Sequence, residues 1–298
     1  MVEVALHAFS KKVTVKVLGK NGLSYGWRLK EILEQRANDP AADAAADYVA
    51  YAAQFEKAEV PTGECRVRGV RAPPTAFNAR LVEWDKHSRH RLHLNFGVQL
   101  LRGDEGDAVE VPRGTVACFA SKDCLSGVIE TPSGKVFLGH FGRDAILPGD
   151  LIRANNMEEA RSRLSVIDVI MRAIPKEERF ETRYGLFCGI AAKHFHHPTT
   201  HEAADRHRLT LDDALIESNG RMVRYLLERY NKSVLVGDLE EGNISLEQVV
   251  HHQFQKYGVT TCSLHDGVDT YSNKHLYSNR EKDRGNNLVL VGNDLPEH

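Results

Sequence analysis

The stretch ASKDCLSGVIETPSGKVFLGHFGRD, residues 120–144, holds two apolar runs joined by Thr131-Pro132-Ser133-Gly134-Lys135. Cys124 stands at the outer end of the first run and His140 near the outer end of the second. Apolar runs flanking a Pro-Ser-Gly turn read as the two strands of a β-hairpin. If residues 131–135 are the loop, Glu130 pairs with Val136 and Cys124 falls opposite Gly142. Strand side chains alternate between faces, so His140, two places before Gly142, shares the face of Cys124 and is its diagonal neighbour. A three-residue loop keeps that relation, whereas a two- or four-residue loop would send thiol and imidazole to opposite faces. A thiol beside an imidazole serves as a nucleophile or as a metal ligand. The same spacing also describes a small buried cysteine and an unrelated surface histidine, since cysteine is among the residues most often buried.

The chain of 298 residues is long enough for one large domain or two ordinary ones. Its 39 basic and 41 acidic residues leave a net charge of −2, which gives no reason to expect nucleic-acid or membrane-surface binding. The opening Met-Val-Glu-Val-Ala-Leu-His lacks a basic stretch followed by an apolar one, and no run approaches the roughly 18 apolar residues of a membrane span. A cytoplasmic location is the expectation. Cys65, Cys118, Cys124, Cys188 and Cys262 are odd in number and irregularly spaced, which argues for reduced thiols over a disulfide framework. Cys118, Cys188 and Cys262 read as packing residues.

Around the hairpin, helices and strands are mixed without strict βαβ alternation. Strands are predicted at residues 13–18, 91–101, 115–120, 234–236, 260–264 and 288–291. Helices are predicted at 27–36, 40–57, 157–172 (ending before Pro175), from an N-cap at Thr210 to about residue 230, and from a Ser245/Gln248 capping box to about residue 256. Residues 60–75, rich in Pro and Gly, read as a linker or ordered crossover. The pattern favours an α+β fold. No Gly-rich loop has the spacing of a Rossmann or P-loop motif, so NAD and ATP binding are not supported.

Two groups of motifs stand in a fixed order along residues 115–292. The first is Lys122-Asp-Cys124-Leu, a strand, the Pro-Ser-Gly-Lys turn, then Gly139-His140-Phe-Gly142-Arg143-Asp144. The second is Ile244-Ser-Leu-Glu, then Gly258-Val259-Thr260-Thr-Cys262, Leu276-Tyr277-Ser278-Asn279-Arg280-Glu281 and Asp283-Arg284-Gly285. Together they resemble the laccase-domain family, also known as polyphenol-oxidase-like proteins, purine nucleoside phosphorylases or peptidoglycan editing factors. Cys188-Gly189-Ile190-Ala191 is a weaker match to a Gly-Pro-Ala-Ile loop of that family. More remotely, the Cys and His on adjacent strands resemble a cysteine-hydrolase superfamily that includes deamidating toxins.

The resemblance implies a layered mixed or antiparallel β sandwich flanked by helices, in a single domain with a divergent part at 1–75 and a catalytic-like core at 76–298. It implies that Cys124 and His140 are active-site residues and can hold a zinc ion with a further histidine. The family's Gln-Val-His-Gly motif is absent, and His87 or His90, in Lys86-His-Ser-Arg-His-Arg-Leu-His93, would have to stand in for its histidine. Also absent are the Trp that follows His-x-Gly in the family and its N-terminal Ser-Arg-x-Gly-Gly signature. A zinc held by one thiolate and two imidazoles leaves a position for water and suits hydrolysis or deamination. The expected activity is therefore that of a Cys/His-centred, zinc-capable enzyme acting on purine nucleosides by phosphorolysis or adenosine deamination. Alternatives are a metal-free cysteine amidase with His140 as base, and a non-catalytic binding protein. The expected partner is a small molecule, nucleoside or amide.

Arg143, Arg280 and Arg284 are candidates to bind a phosphate or carboxylate, since a guanidinium matches either with two parallel hydrogen bonds. The run His194-Phe-His196-His197-Pro-Thr-Thr-His201 is a second metal candidate or a polar loop beside the site. Asp123 is expected to orient neighbouring groups, and His251-His252 to be scaffold within a helix.

Overall fold

The hairpin has the register that its loop length dictates. In a computed structural model that describes residues 10, 13–18, 68–71, 80–82, 99–102, 105–111, 113, 115–260, 262–265, 269–274, 276–283 and 287–294, strand β7 (Leu125–Glu130) runs antiparallel to β8 (Val136–Phe141). Glu130 faces Val136 and Leu125 faces Phe141. The turn is closed by Thr131 and Lys135, whose backbones bond at 2.9 Å, and Gly134 takes a φ of 80° that a side chain would resist.

Every residue of β7 is buried, as expected for a strand with partners on both edges. It lies between β8 and β9 (Arg183–Phe187), within a six-stranded sheet. The sheet is completed by β5 (Glu105–Val111) and β4 (Gln99–Arg102) beyond β8, and by β10 (Cys262–His265) beyond β9. All its pairings are antiparallel except β10 with β9. A second, antiparallel sheet joins β1 (Val13–Leu18), β11 (Asn287–Asn293) and β6 (Thr115–Ser121), and β2 (Arg68–Arg71) pairs with β3 (Arg80–Val82). Part of the 60–75 segment is thus strand. The fold is α+β, a largely antiparallel sheet with flanking helices.

Seven α-helices are described: α1 (Arg143–Ile146), α2 (Gly149–Arg153), α3 (Met157–Ser162), α4 (Val166–Ala173), α5 (His201–Arg206), α6 (Asp213–Tyr230) and α7 (Leu246–Gln255). The apolar faces of all but α5 meet β7, β8 and β9 in one core containing Ile129, Phe137, Phe141, Tyr184, Ile170 and Phe254. Tyr184 stacks on Phe254 at 4.1 Å, and Phe141 meets the same ring edge-on at 6.0 Å.

The helix predicted at 157–172 is two helices. Ser165 caps α4 by accepting from the Asp168 amide while the Asp168 carboxylate accepts from the Ser165 amide, a capping box that starts a new helix where periodicity alone suggested continuity. Asp212, rather than Thr210, caps α6. At 234–236 there is a 3₁₀ turn and a single bridge, Leu235 to Ile244, instead of a strand. The predicted helices at 27–36 and 40–57 lie outside the described residues. Among the described residues no helix is long and apolar enough to cross a membrane.

Candidate active site

Gly142 closes the hairpin's outer end in ordinary extended backbone, φ −65° and ψ 157°. A methyl group placed on it would stand 2.7 Å from Cε1 and 3.0 Å from Nε2 of His140, and 3.2 Å from Sγ of Cys124. Thiol and imidazole therefore converge on one small space above Gly142, close enough for a single atom to touch both. Cys124 is half-buried and in no disulfide, and Nε2 of His140 is shut off from solvent. Across the ladder from His140 lies Ser126, wholly buried, whose hydroxyl makes no hydrogen bond. Cross-strand partners point to one face, so this hydroxyl shares the face of the thiol and imidazole.

The two motif groups that sequence places far apart meet here. Asp123 Oδ2 accepts from the Asn279 amide at 2.9 Å, and its Oδ1 accepts from the Thr270 hydroxyl at 2.8 Å. Asn287, buried in β11, donates to the carbonyls of Lys122 and Tyr277 and accepts from the Tyr277 amide. Lys122 Nζ reaches the Asp283 carbonyl at 2.6 Å, and burial holds its pKa below the usual lysine value. Asp123 thus orients neighbouring groups, as expected: it ties the residue before the thiol to the residue before Arg280. Ile190 donates to the Asp123 carbonyl, which brings the segment 188–191 to the same edge. There Cys188 is buried with a left-handed φ of 48°.

Two of the predicted arginines border this place. Arg143, directly after Gly142, donates from Nη1 to Nε2 of His197 at 3.3 Å and pairs with Asp144. Because a guanidinium only donates, His197 Nε2 is the acceptor and Nδ1–H points to the Phe195 carbonyl, 3.2 Å away. Burial, reinforced by the charges of Arg143 and Arg280, pushes His197 down to about 3, so the ring is neutral at physiological pH. Arg280 lies over the Phe195 ring at 5.5 Å and donates to the His196 carbonyl at 3.4 Å. Its own pKa is lowered by burial; the charge of Asp123 opposes that shift and the charge of Arg143 adds to it. Two guanidiniums that feel one another beside a thiol and an imidazole make a setting that favours an anion. Arg284, His87, His90 and His93 lie outside the described residues.

The histidine run does not converge on a single point. His194 bonds Asp269 at 2.7 Å, His201 bonds Asp213 at 2.7 Å, and His197 meets Arg143. His196 instead stacks on His207 at 3.6 Å, and His207 bonds Glu241. The donor atoms of His196, His207 and Glu241 all lie within 4.8 Å of one another, a set that can hold a metal ion. Sequence reading missed His207 and Glu241. The usable signal was Gly242 after two glutamates: its φ is 57°, and a methyl there would come within 2.0 Å of the His197 carbonyl, so the two loops can approach only at a glycine. His251 and His252 are helix scaffold, bonded to Glu247 and Ser233.

No family model matches the chain, and no curated protein matches it. Its fold is similar to that of three crystal structures. Neisseria meningitidis protein NMB0706, described under the family model DUF152, is 14% identical with a TM-score of 0.42, over 64% of this chain and 65% of that one. Bacillus licheniformis hypothetical protein YfiH is 14% identical with a TM-score of 0.45, over 85% and 82%. YlmD from Geobacillus stearothermophilus is 15% identical with a TM-score of 0.39, over 63% and 60%. The chain thus spans less than two thirds of the length of the Neisseria and Geobacillus proteins.

Proposed function

We propose that Cys124 and His140 are the reactive centre of an enzyme that breaks a C–N bond in a small molecule. The substrate is a purine nucleoside, cleaved by phosphorolysis or deaminated, as the sequence resemblance implies. The observation that carries this reading is the approach of thiol and imidazole to one space above Gly142. In phosphorolysis a phosphate oxygen bonds to the ribose carbon while the bond to the purine nitrogen breaks. Arg143 and Arg280 would hold the phosphate. His140 would hold the proton that the leaving nitrogen takes up. Asp123 keeps the Arg280 segment in register with Cys124 through Asn279. The sandwich-like layering of two sheets belongs to the same reading.

Zinc suits this centre, because Cys124 and His140 offer a sulfur and a nitrogen on one side of a common space. With His87 or His90 they would form a three-ligand site, and the ion would supply Lewis-acid polarisation of the substrate.

A second reading is a metal-free cysteine amidase. It is favoured by the placement of nucleophile and base on one strand face, with the buried Ser126 hydroxyl beside them as a further hydrogen-bonding group.

The test is turnover of adenosine and inosine with and without phosphate, and of a primary amide with and without chelator. Phosphate-dependent base release, or ammonia release from adenosine, that is abolished in Cys124→Ala supports the first reading. Chelator-resistant amide hydrolysis supports the second. Undiminished turnover in Cys124→Ala overturns both, and tight nucleoside binding without turnover points to a binding protein.

A further inference from the structure

A second cluster, independent of the thiol centre, has the make-up of a metal site without sulfur. His196 belongs to the loop 195–199 and Glu241 to the turn 240–244, and backbone bonds fasten the two segments: His197 to Glu241, Thr199 to Glu240 and Ile244 to Phe195. His207 caps α5 at its C-terminal end. Asn243 Oδ1 accepts from Nδ1 of His196 at 2.7 Å, so the proton sits on Nδ1 and Nε2 carries the lone pair. Arg206 donates to Oε1 of Glu241 at 2.9 Å, and Oε2 is turned toward Nε2 of His207. Each potential ligand but His207 is therefore oriented by a partner behind it, the arrangement that fixes ligands in metal sites. All three residues are half-buried.

We propose that His196, His207 and Glu241 bind one divalent transition-metal ion of the zinc class, through two imidazole nitrogens and one carboxylate oxygen. Metal–nitrogen and metal–oxygen bonds of about 2.1 Å require ligand atoms about 3.4 Å apart; the donor atoms already lie within 4.8 Å, and one imidazole must turn out of its stack on the other to aim both lone pairs at one ion. Mixed imidazole and carboxylate donors suit zinc, cobalt or nickel over calcium or copper(I). Three protein ligands leave a fourth position for water. The ion clasps the 195–199 loop to the 240–244 turn and to the end of α5, and so steadies His197 against Arg143 and the His196 carbonyl against Arg280. It is thus a positioning site for the arginines and separate from the ligands at Cys124 and His140.

Cobalt(II) titration of the chelator-treated full-length protein tests this. The expected result is a visible ligand-field band that saturates with bound metal in Cys124→Ser, where the thiol centre is removed, and vanishes when His207→Ala or Glu241→Gln is added to that variant. Asn243→Ala is expected to weaken binding by roughly 10-fold to 100-fold. The thermal midpoint of each metal-free variant, compared with metal-free Cys124→Ser, separates loss of ligand from loss of fold: zinc should raise the midpoint of Cys124→Ser and leave that of folded Cys124→Ser/His207→Ala unmoved. Should His207→Ala fail to fold, Glu241→Gln carries the test by the same two readings. The proposal is overturned if the cobalt spectrum is a thiolate charge-transfer spectrum that disappears in Cys124→Ser, or if His207→Ala and Glu241→Gln bind cobalt like wild type.

Discussion

The two faces of one hairpin do opposite work. On one face Gly127 and Gly139 pair across the ladder, and the Phe141 ring lies over both: a methyl on Gly127 would fall 1.9 Å from a ring carbon, and one on Gly139 2.6 Å from another. That face is filled, with Ile170 of α4 and Phe254 of α7 packed against it. On the other face, Gly142 keeps a space open between Cys124 and His140. Glycine serves both faces through its missing side chain, in one case to admit a neighbour's ring and in the other to leave room. The comparison teaches that the strand's two-residue period separates the packed core face from the face that carries the thiol and imidazole at the scale of a single residue.

Substitutions that fill these spaces should break the two faces differently. Gly127→Ala has the largest expected effect on the fold, about 3 kcal/mol or more, because the ring it meets is held by a dense core. Chemical denaturation would show it as a lower midpoint, with partial recovery when Phe141→Leu is added. Gly142→Ala should leave stability within about 1 kcal/mol, since its backbone suits alanine, yet reduce turnover by about 100-fold by wedging thiol from imidazole. Equal damage to stability from both substitutions would remove the distinction.

Asp123→Ala comes next. It leaves the Asn279 amide and the Thr270 hydroxyl without their acceptor, at a cost of about 2 kcal/mol, and should raise the KM for phosphate more than it lowers kcat. Near neutral pH the smallest effect is that of His197, which grows only in acid. His197 titrates near 3 in the folded protein against an ordinary value of 6.5, so the unfolded chain binds the extra proton first. Its contribution to stability is complete above pH 6.5 and is lost as pH falls from there toward 3, at up to about 1.4 kcal/mol per pH unit. His197→Phe should flatten that part of the stability curve measured by denaturation at a series of pH values.

The hairpin could be read from sequence because its determinants are local: loop length sets register, and register sets faces. The boundaries of β11 and α7 were accessible for the same reason, through an apolar run and a serine cap. The split between α3 and α4 escaped because Ser165 and Asp168 fit either a continuous helix or a new start, and only the reciprocal bonds decide. Strand β9 escaped as well. Its burial depends on β7 and β10 on either side, contacts that a local pattern does not carry. At the site, Asp123 and Arg280 were visible as motif members. His207 and Glu241 were not, because their meeting with His196 depends on how two loops approach at Gly242.

Turnover in a double-mutant cycle of Cys124→Ala and His140→Ala tests most directly whether the hairpin builds one reactive centre. If thiol and imidazole act as a unit, each single substitution abolishes nearly all turnover of the nucleoside or amide substrate, and the double variant is no worse than Cys124→Ala. Losses that multiply, or a Cys124→Ala protein as active as wild type, would contradict it.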